Sequence, residues 1–380
     1  MQFELSEEHE AFRKVVREFA EQEVAPLAAG WEYDAPFPVE LMHKMGDLGL
    51  FALPFPEEVG GMGGDFTSLC VAIEEIGRVD QSMGITLEAA VGLGINPIFR
   101  FGSAAQQERY LPDLMSGRSL AGFGLTEAEA GSDAGATRTR ARLEDGAWII
   151  DGSKAFITNA GTPITSLVTI TARTGSEEIS ALIVPTGTDG FIVEPAYRKM
   201  GWHGSDTRGL VFTDCRVPED NLLGSRGQGF PQFLATLDDG RIAISALAVG
   251  LAQACLEESV EYAKTRHTFG LPIGSNQGVA FQCADLKVMV EAARLLTYRA
   301  AALRDEGRPI RQAAAVAKLY SSEAAVAASR IATQIHGGAG FMETSPVARF
   351  YRDAKVLEIG EGTSEVQRIL ISRSLGLPVR

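Results

Sequence analysis

Glu361 stands on a loop, Ile359-Gly360-Glu361-Gly362-Thr363, that runs into Ser364-x-x-Gln367, the spacing of a helix capping box. A carboxylate held between glycines at a helix start can offset the helix dipole. Shielded from water, it can instead act as a general base. A second group is Gly122-Phe123-Gly124-Leu125-Thr126-Glu127-Ala128-Glu129-Ala130-Gly131-Ser132-Asp133. Its small residues allow close backbone approach, and its amides and hydroxyls could grip a phosphate or the carbonyl edge of a ring; it also reads as a surface connection with a Ser132-Asp133 turn. A third, Gly152-Ser153-Lys154-Ala155-Phe156-Ile157-Thr158-Asn159-Ala160, follows the strand-like Trp148-Ile149-Ile150. Phe156 and Thr158 share one face of a strand, where they could offer a ring and a hydrogen bond to a planar ligand or simply face a core.

Two further groups end long helical stretches: Arg266-His267-Thr268-Phe269-Gly270, and Gln334-Ile335-His336-Gly337-Gly338-Ala339-Gly340-Phe341. Glycine there is the usual left-handed helix stop. Because these glycines follow a helix rather than a strand, they do not open a Rossmann fingerprint.

The elements that must position these residues fall into three zones. Residues 1–118 are helical: Phe12, Val15, Val16, Phe19 and Val24 repeat near one face behind a Ser6 cap, a second helix follows Pro38, a third spans Phe66 to Asp80, and Ser103-x-x-Gln106 opens another. In residues 119–228 the pattern shifts to short β-branched and aromatic runs, namely 148–152, 167–172, 179–184, 191–193 and 210–212, separated by Asp145-Gly146, Thr174-Gly175 and Asp189-Gly190. With no helices between them, these strands predict a small β-barrel or sandwich. Residues 229–380 return to helix over 230–266, 276–306, 309–335 and 364–374, a four-helix bundle. The fold class is therefore α+β and multidomain: helical, then β, then bundle.

Composition narrows the chemistry. The chain has 380 residues, 45% hydrophobic and 22% charged, with Lys+Arg 35 against Asp+Glu 49 and a net charge of -14. That acidity opposes a nucleic-acid partner held by bulk charge. Cys70, Cys215, Cys255 and Cys283 are too dispersed for a zinc site or a disulfide framework, and the five histidines show no metal-ligand spacing, so no metal is expected. The start carries no signal-peptide pattern, and the charge-free run Ile242 to Leu256 is too short to span a bilayer. A cytoplasmic protein without a membrane span is expected.

Taken together, Thr126-Glu127 with Gly131-Ser132-Asp133, Met200-Gly201-Trp202-His203-Gly204-Ser205-Asp206-Thr207-Arg208-Gly209, Gln334-x-x-Gly337-Gly338-x-Gly340-Phe341 and Glu361-Gly362-Thr363 resemble the acyl-CoA dehydrogenases over essentially the whole chain. The resemblance implies FAD held between the β domain and the bundle. Phe123, Leu125, Thr126, Gly131 and Ser132 match its first flavin segment, and Phe156, Ile157 and Thr158 the segment that covers the ring. Many members have Trp where Phe156 stands, so only the stacking role carries over. Arg266, Thr268, Phe269 and Gln277, with Gln334, Gly337 and Gly338, match residues that reach the FAD of a neighbouring subunit, which implies a homo-oligomer, usually a homotetramer. Thr363 and Glu365 match the last cofactor contacts. Ala128 replaces a frequent proline.

The reaction so implied is α,β-dehydrogenation of an acyl-CoA thioester to the trans-2-enoyl-CoA, in fatty-acid or branched-chain amino-acid breakdown, with electrons passed to an electron-transferring flavoprotein. Glu361 matches the base that removes the pro-R α-proton while the β-hydride leaves for the flavin. Some members carry that Glu on a bundle helix directly before an Arg; here Gly240 precedes Arg241, consistent with a base at Glu361 and with Glu358 as a mere neighbour. Asp238, Arg241, Ser132 and Gly362 match substrate contacts. No Lys or Arg lies between Gln81 and Asn96, which favours a monocarboxylic acyl chain, and Gly360 stands where straight-chain members often carry Tyr, which favours a branched short-chain or a medium-chain acyl group over butyryl. The alternatives are an acyl-CoA oxidase, usually a longer chain, a nitroalkane oxidase, which would have Asp at the base position, and a non-enzymatic relative that binds FAD and DNA.

Overall fold

The computed structural model describes residues 4–28, 30–31 and 35–379. The first zone is α-helical: α1 (Glu7–Phe19), continued by a π-helical turn into α2 (Ala25–Ala28), then α3 (Val39–Asp47), α4 (Phe66–Val79), α5 (Gln81–Glu88), α6 (Asn96–Phe101) and α7 (Ala104–Met115). Local signals start these helices where expected. Ser6 Oγ accepts from the His9 amide, and Ser103 and Gln106 form the reciprocal capping box. Asp80 ends α4 and caps α5 through the Met83 amide. From Glu88 the chain widens into a π-helical segment, Ala89–Ile95, before α6.

Gln81–Phe101 and Gly229–Thr265 are both long and apolar enough to cross a membrane, but 89% and 78% of their apolar windows are buried inside the protein. They are core helices. The first was not visible as a long apolar run because Gln81, Ser82, Thr86, Glu88 and Asn96 interrupt it, and all five are buried.

The β domain holds β1 (Leu120–Gly124), β2 (Arg140–Glu144), β3 (Ala147–Thr158), β4 (Thr165–Arg173), β5 (Ile179–Pro185), β6 (Phe191–Val193), β7 (Thr207–Pro218) and β8 (Leu222–Leu223). They form one sheet in the order β6-β7-β3-β2-β4-β5-β8, with β1 added parallel to β4. Its core is Trp148, Ile150, Ile157, Val168, Ile170, Leu182, Val184, Leu210 and Phe212. The five expected strands are present. β1 and β2 lacked a signal, since Leu120-Ala-Gly-Phe-Gly and Arg140-Ala-Arg-Leu-Glu are short of β-branched residues; β1 gains its partner from the distant β4, and β2 pairs with its hairpin neighbour β3 across Asp145-Gly146.

The bundle consists of α8 (Gly229–Thr265), the hairpin β9 (His267–Thr268) and β10 (Leu271–Pro272), then α9 (Gln277–Asp305), α10 (Arg311–His336), α11 (Pro346–Ala354) and α12 (Ser364–Ser374). α8, 37 residues long, is its axis, packed against α9, α10 and α4. Glycines set the closeness of that packing: a Cβ on Gly250 would lie 2.4 Å from the Glu74 carbonyl oxygen of α4. Helix α11 was unforeseen; Trp202 of the β domain donates its amide to Asp353 at its end, 2.6 Å away, and so fixes the 200–209 loop to the bundle.

Candidate active site

The Glu361 loop is built for strain and for dryness. Glu361 adopts φ 55°, in the left-handed region that non-glycine residues avoid, and Gly362 follows at φ 93°. What holds the turn is a set of donors on its carbonyls: Lys318 Nζ donates to Gly362 O at 2.8 Å, and Gln367 Nε2 donates to Gly362 O at 2.8 Å and to Glu361 O at 3.3 Å. Gln367 is thereby diverted from the capping box its spacing suggested. The N-cap of α12 is Thr363, one residue earlier, whose hydroxyl accepts from the Val366 amide.

The side chain of Glu361 is treated in the opposite way. Both carboxylate oxygens are buried, and among the described residues neither accepts from an amide, a hydroxyl or a cationic group. They lie over Gly240 of α8: a Cβ there would come within 2.5 Å of Glu361 Oε2. The missing side chain at Gly240 is therefore what makes room for the carboxylate. Burial pushes the Glu361 carboxyl above the usual range, and Glu88, Arg241 and Lys318 partly offset this. Arg241 pairs with Asp238, which Arg311 also approaches at 3.3 Å, and Arg241 acts on the Glu361 carboxyl, so these two expected substrate contacts lie near it. Burial brings the Lys318 ammonium down to about 8 even with Glu361 nearby. Glu358 is tied to Lys355 and plays the part of a neighbour.

The β-domain group converges through one buried ion pair. Lys154 Nζ donates to Glu127 Oε1 at 2.8 Å, to the Leu125 carbonyl at 3.3 Å and to two threonine hydroxyls. Glu127 also accepts from the Thr137 hydroxyl and from the amides of Arg138 and Thr139. Ala155 N donates to Thr126 O at 2.9 Å. This network joins the Leu125-Thr126 turn to the Phe156–Thr158 end of β3. The β3–β7 register slips between Lys154 and Ile157, and Phe156 takes φ 61°, leaving its ring 65% exposed beside Tyr197. Thr158, past this irregularity, is half-buried, while Ile157 is buried in the β core and has only its main chain to offer. Phe123 turns the other way and stacks on Phe233 of α8 at 4.0 Å. Gly131 and Ser132 are exposed at the open end of the loop.

The remaining predicted residues sit elsewhere. Arg266, Thr268, Phe269, Gln277, Gln334, Gly337 and Gly338 gather at the far end of the bundle, where Tyr262 stacks on His336 at 4.2 Å and joins the ends of α8 and α10. Lys318, beside Glu361, and Gln334 are about 24 Å apart along α10 at 1.5 Å per residue. Phe269 is fully exposed at φ 50°, and a Cβ on Gly337 or Gly338 would meet nothing within 4 Å. One chain thus separates the expected cofactor contacts into two surfaces. Thr363 and Glu365 stand at the start of α12, directly after the Glu361 loop.

Profiles of the acyl-CoA dehydrogenase N-terminal, middle and C-terminal domains match residues 6–118, 122–215 and 227–376. The chain belongs to the acyl-CoA dehydrogenase family. Its relatives include a probable acyl-CoA dehydrogenase, YngJ, of Bacillus subtilis, 48% identical over 99% of this chain and 100% of that protein. The short-chain specific acyl-CoA dehydrogenase of Rattus norvegicus mitochondria is 42% identical over 98% of this chain and 91% of the relative. Among solved structures, butyryl-CoA dehydrogenase from Megasphaera elsdenii superposes with a TM-score of 0.95 at 40% identity, covering 99% of this chain and 100% of that one. The chain is accordingly an oxidoreductase acting on CH–CH bonds.

Acyl-CoA dehydrogenases are flavoproteins, and the residues fit a flavin. Phe156 offers an exposed ring held by backbone strain, beside the turn that Lys154 and Glu127 lock. The exposed hairpin and paired glycines at the far end form a second open surface. Four residues of the site had no sequence signal of their own: Glu88, Glu127 as an ion-pair partner, Lys154 and Lys318. Each is a charge buried by contacts from another part of the chain, so nothing in its local pattern marks it.

Proposed function

We propose that the protein oxidises a short-chain, monocarboxylic acyl-CoA to the trans-2-enoyl-CoA, with Glu361 as the α-proton base and FAD as the redox cofactor. The observation that carries this reading is the Glu361 carboxylate: buried, without an amide, hydroxyl or cationic donor among the described residues, and seated over Gly240. A carboxylate free of such donors keeps its affinity for a proton, and desolvation lifts that affinity toward the working pH. Bound FAD would supply the hydride acceptor. Leu125, Thr126, Phe156 and Thr158 would hold it within one chain, and Arg266, Phe269, Gln334 and Gly337 of a second copy would complete the site in a homo-oligomer. Asp238, Arg241, Ser132 and Gly362 would orient the thioester. An electron-transferring flavoprotein is the acceptor we assign, in keeping with relatives named dehydrogenases.

Gly360 supports a branched acyl group, because a Cβ there would approach only the Val356 carbonyl oxygen, at 3.5 Å, and the side is otherwise open. The test is anaerobic bleaching of the flavin absorbance by a panel from butyryl-CoA to palmitoyl-CoA that includes isobutyryl, 2-methylbutyryl and isovaleryl thioesters. Fast, stoichiometric bleaching by the short members is the expected result; failure of the whole panel would end the reading.

A further inference from the structure

Glu88 is the last residue of α5, at the point where the helix widens into the π-helical segment Ala89–Ile95, a backbone form concentrated at functional sites. It is fully buried, and among the described residues neither oxygen accepts a hydrogen bond from an N–H or O–H donor. It faces Glu361, within hydrogen-bonding reach of that carboxyl. On its own segment the small Gly92 lies against it, a Cβ there standing 3.2 Å from Glu88 Oε1. An N-terminal helix thus brings a second carboxyl group to the base, from a part of the chain that none of the expected site residues occupies.

Two carboxylates facing each other in a dry site cannot both be ionised, so one proton is held between them. The surrounding charges decide where it resides. Arg241 from α8 and Lys318 from α10 act on Glu361; Asp238 is turned to Arg241 and Arg311, and Glu358 and Glu365 on the Glu361 segment act on Lys318. No cation of this set acts on Glu88, whose carboxyl is driven well up by burial and by Glu361.

We propose that Glu88 is a positioning residue for the base: a buried carboxylic acid whose O–H donates to the Glu361 carboxylate and keeps it ionised and aimed at the substrate α-carbon. This rests on the assignment of Glu361 as base. The neutral acid also keeps the wall beside the reacting carbons free of a second negative charge, which would oppose the enolate-like charge that develops as the α-proton leaves.

The test uses FAD-loaded enzyme and the limiting rate of anaerobic flavin reduction by butyryl-CoA as a function of pH, with a second readout from infrared spectroscopy of the resting protein. Glu88→Ala should move the acid limb of the rate profile upward by about one to two pH units, because the carboxylate loses a donor. Glu88→Leu, which fills the volume, should do the same, separating loss of the donor from loss of packing. Glu88→Gln supplies an N–H donor and should return the limb to within about half a unit of wild type. The same Gln variant should lose one protonated-carboxyl C=O band that wild type shows at neutral pH. An unmoved limb in Ala and Leu, a Gln variant displaced as far as Ala, or no such band in wild type would overturn the proposal. Glu361→Gln is run alongside: if it still reduces flavin at the wild-type rate, the base assignment itself has failed, whereas the infrared band reports on Glu88 independently.

Discussion

Two buried carboxylates, Glu127 and Glu361, show how one chain uses the same chemical group for opposite ends. Glu127 is saturated: a lysine, a threonine hydroxyl and two amides converge on it, and although burial works against ionisation, Lys154 foremost among these donors holds it down to about 2. Glu361 is starved by comparison: among the described residues its oxygens accept from no amide, hydroxyl or cationic group, its one polar neighbour is the Glu88 carboxyl, and burial drives it up. The first is a clamp that fixes the Leu125-Thr126 turn against β3. The second, in the role proposed for it, keeps hydrogen-bonding capacity for a substrate proton. Satisfaction fits a carboxylate for structure, and a shortage of donors fits it to take up a proton.

The largest expected effect tests that contrast at its reactive end. Glu361→Gln should retain flavin and still bind acyl-CoA, yet lose at least about 10³-fold in the rate of flavin reduction, within the range of general-base losses; stopped-flow bleaching measures it, with Glu358→Gln as the near-neutral control. At the structural end, Lys154→Met leaves Glu127 buried without its cation and should lower stability by about 3–5 kcal/mol, read by urea unfolding, with flavin retention falling as the turn loosens.

The pH dependence of stability should then separate the two carboxylates by sign. Glu127 lies below its ordinary 4.5 in the folded state, so its contribution is present above about 4.5 and is lost as pH falls toward about 2. Glu361 lies above its ordinary value, so its contribution is present below about 4.5 and is lost as pH rises through the folded value. Glu127→Gln should flatten the acid side of a thermal-melting profile and reduce stability at neutral pH. Glu361→Gln should flatten the other side and raise the melting temperature at neutral pH, as removal of an unsatisfied active-site charge commonly does.

A smaller effect concerns the second surface. Arg266→Ala should weaken flavin retention and oligomer together, because a cofactor bound across the assembly stabilises it by mass action; size-exclusion chromatography with flavin quantitation reads both. The smallest is one of selectivity. Gly360→Tyr should shift the kcat/KM ranking from branched toward straight short chains by about 1–3 kcal/mol per misfitted methylene, and an unchanged ranking would place selectivity on the α5–α6 segment instead.

Much of the fold was legible because its signals are local. The Ser6 and Ser103 caps, the helical periodicity and the β-branched runs act within a few residues of themselves. The motifs at Thr126-Glu127 with Gly131-Ser132-Asp133, Met200 to Gly209, Gln334 to Phe341 and Glu361-Gly362-Thr363 likewise announced the family. Where local signals competed, tertiary contacts chose: Gln367 left its capping box to hold the Glu361 turn, and Phe123 turned from the flavin loop to stack on Phe233.

By itself the sequence determined the long helices and the β-branched strands, that Glu361 sits on a glycine-flanked loop, and that Gly240 leaves a gap before Arg241. Only the tertiary structure decided that this loop folds over that gap, that Glu88 arrives from a distant helix to face it, and that Lys154 and Glu127 find each other across the β domain. The physical reason is that periodicity and capping are short-range, whereas the proton affinity of a carboxyl is set by desolvation and by the donors around it, and both depend on what the rest of the chain places there.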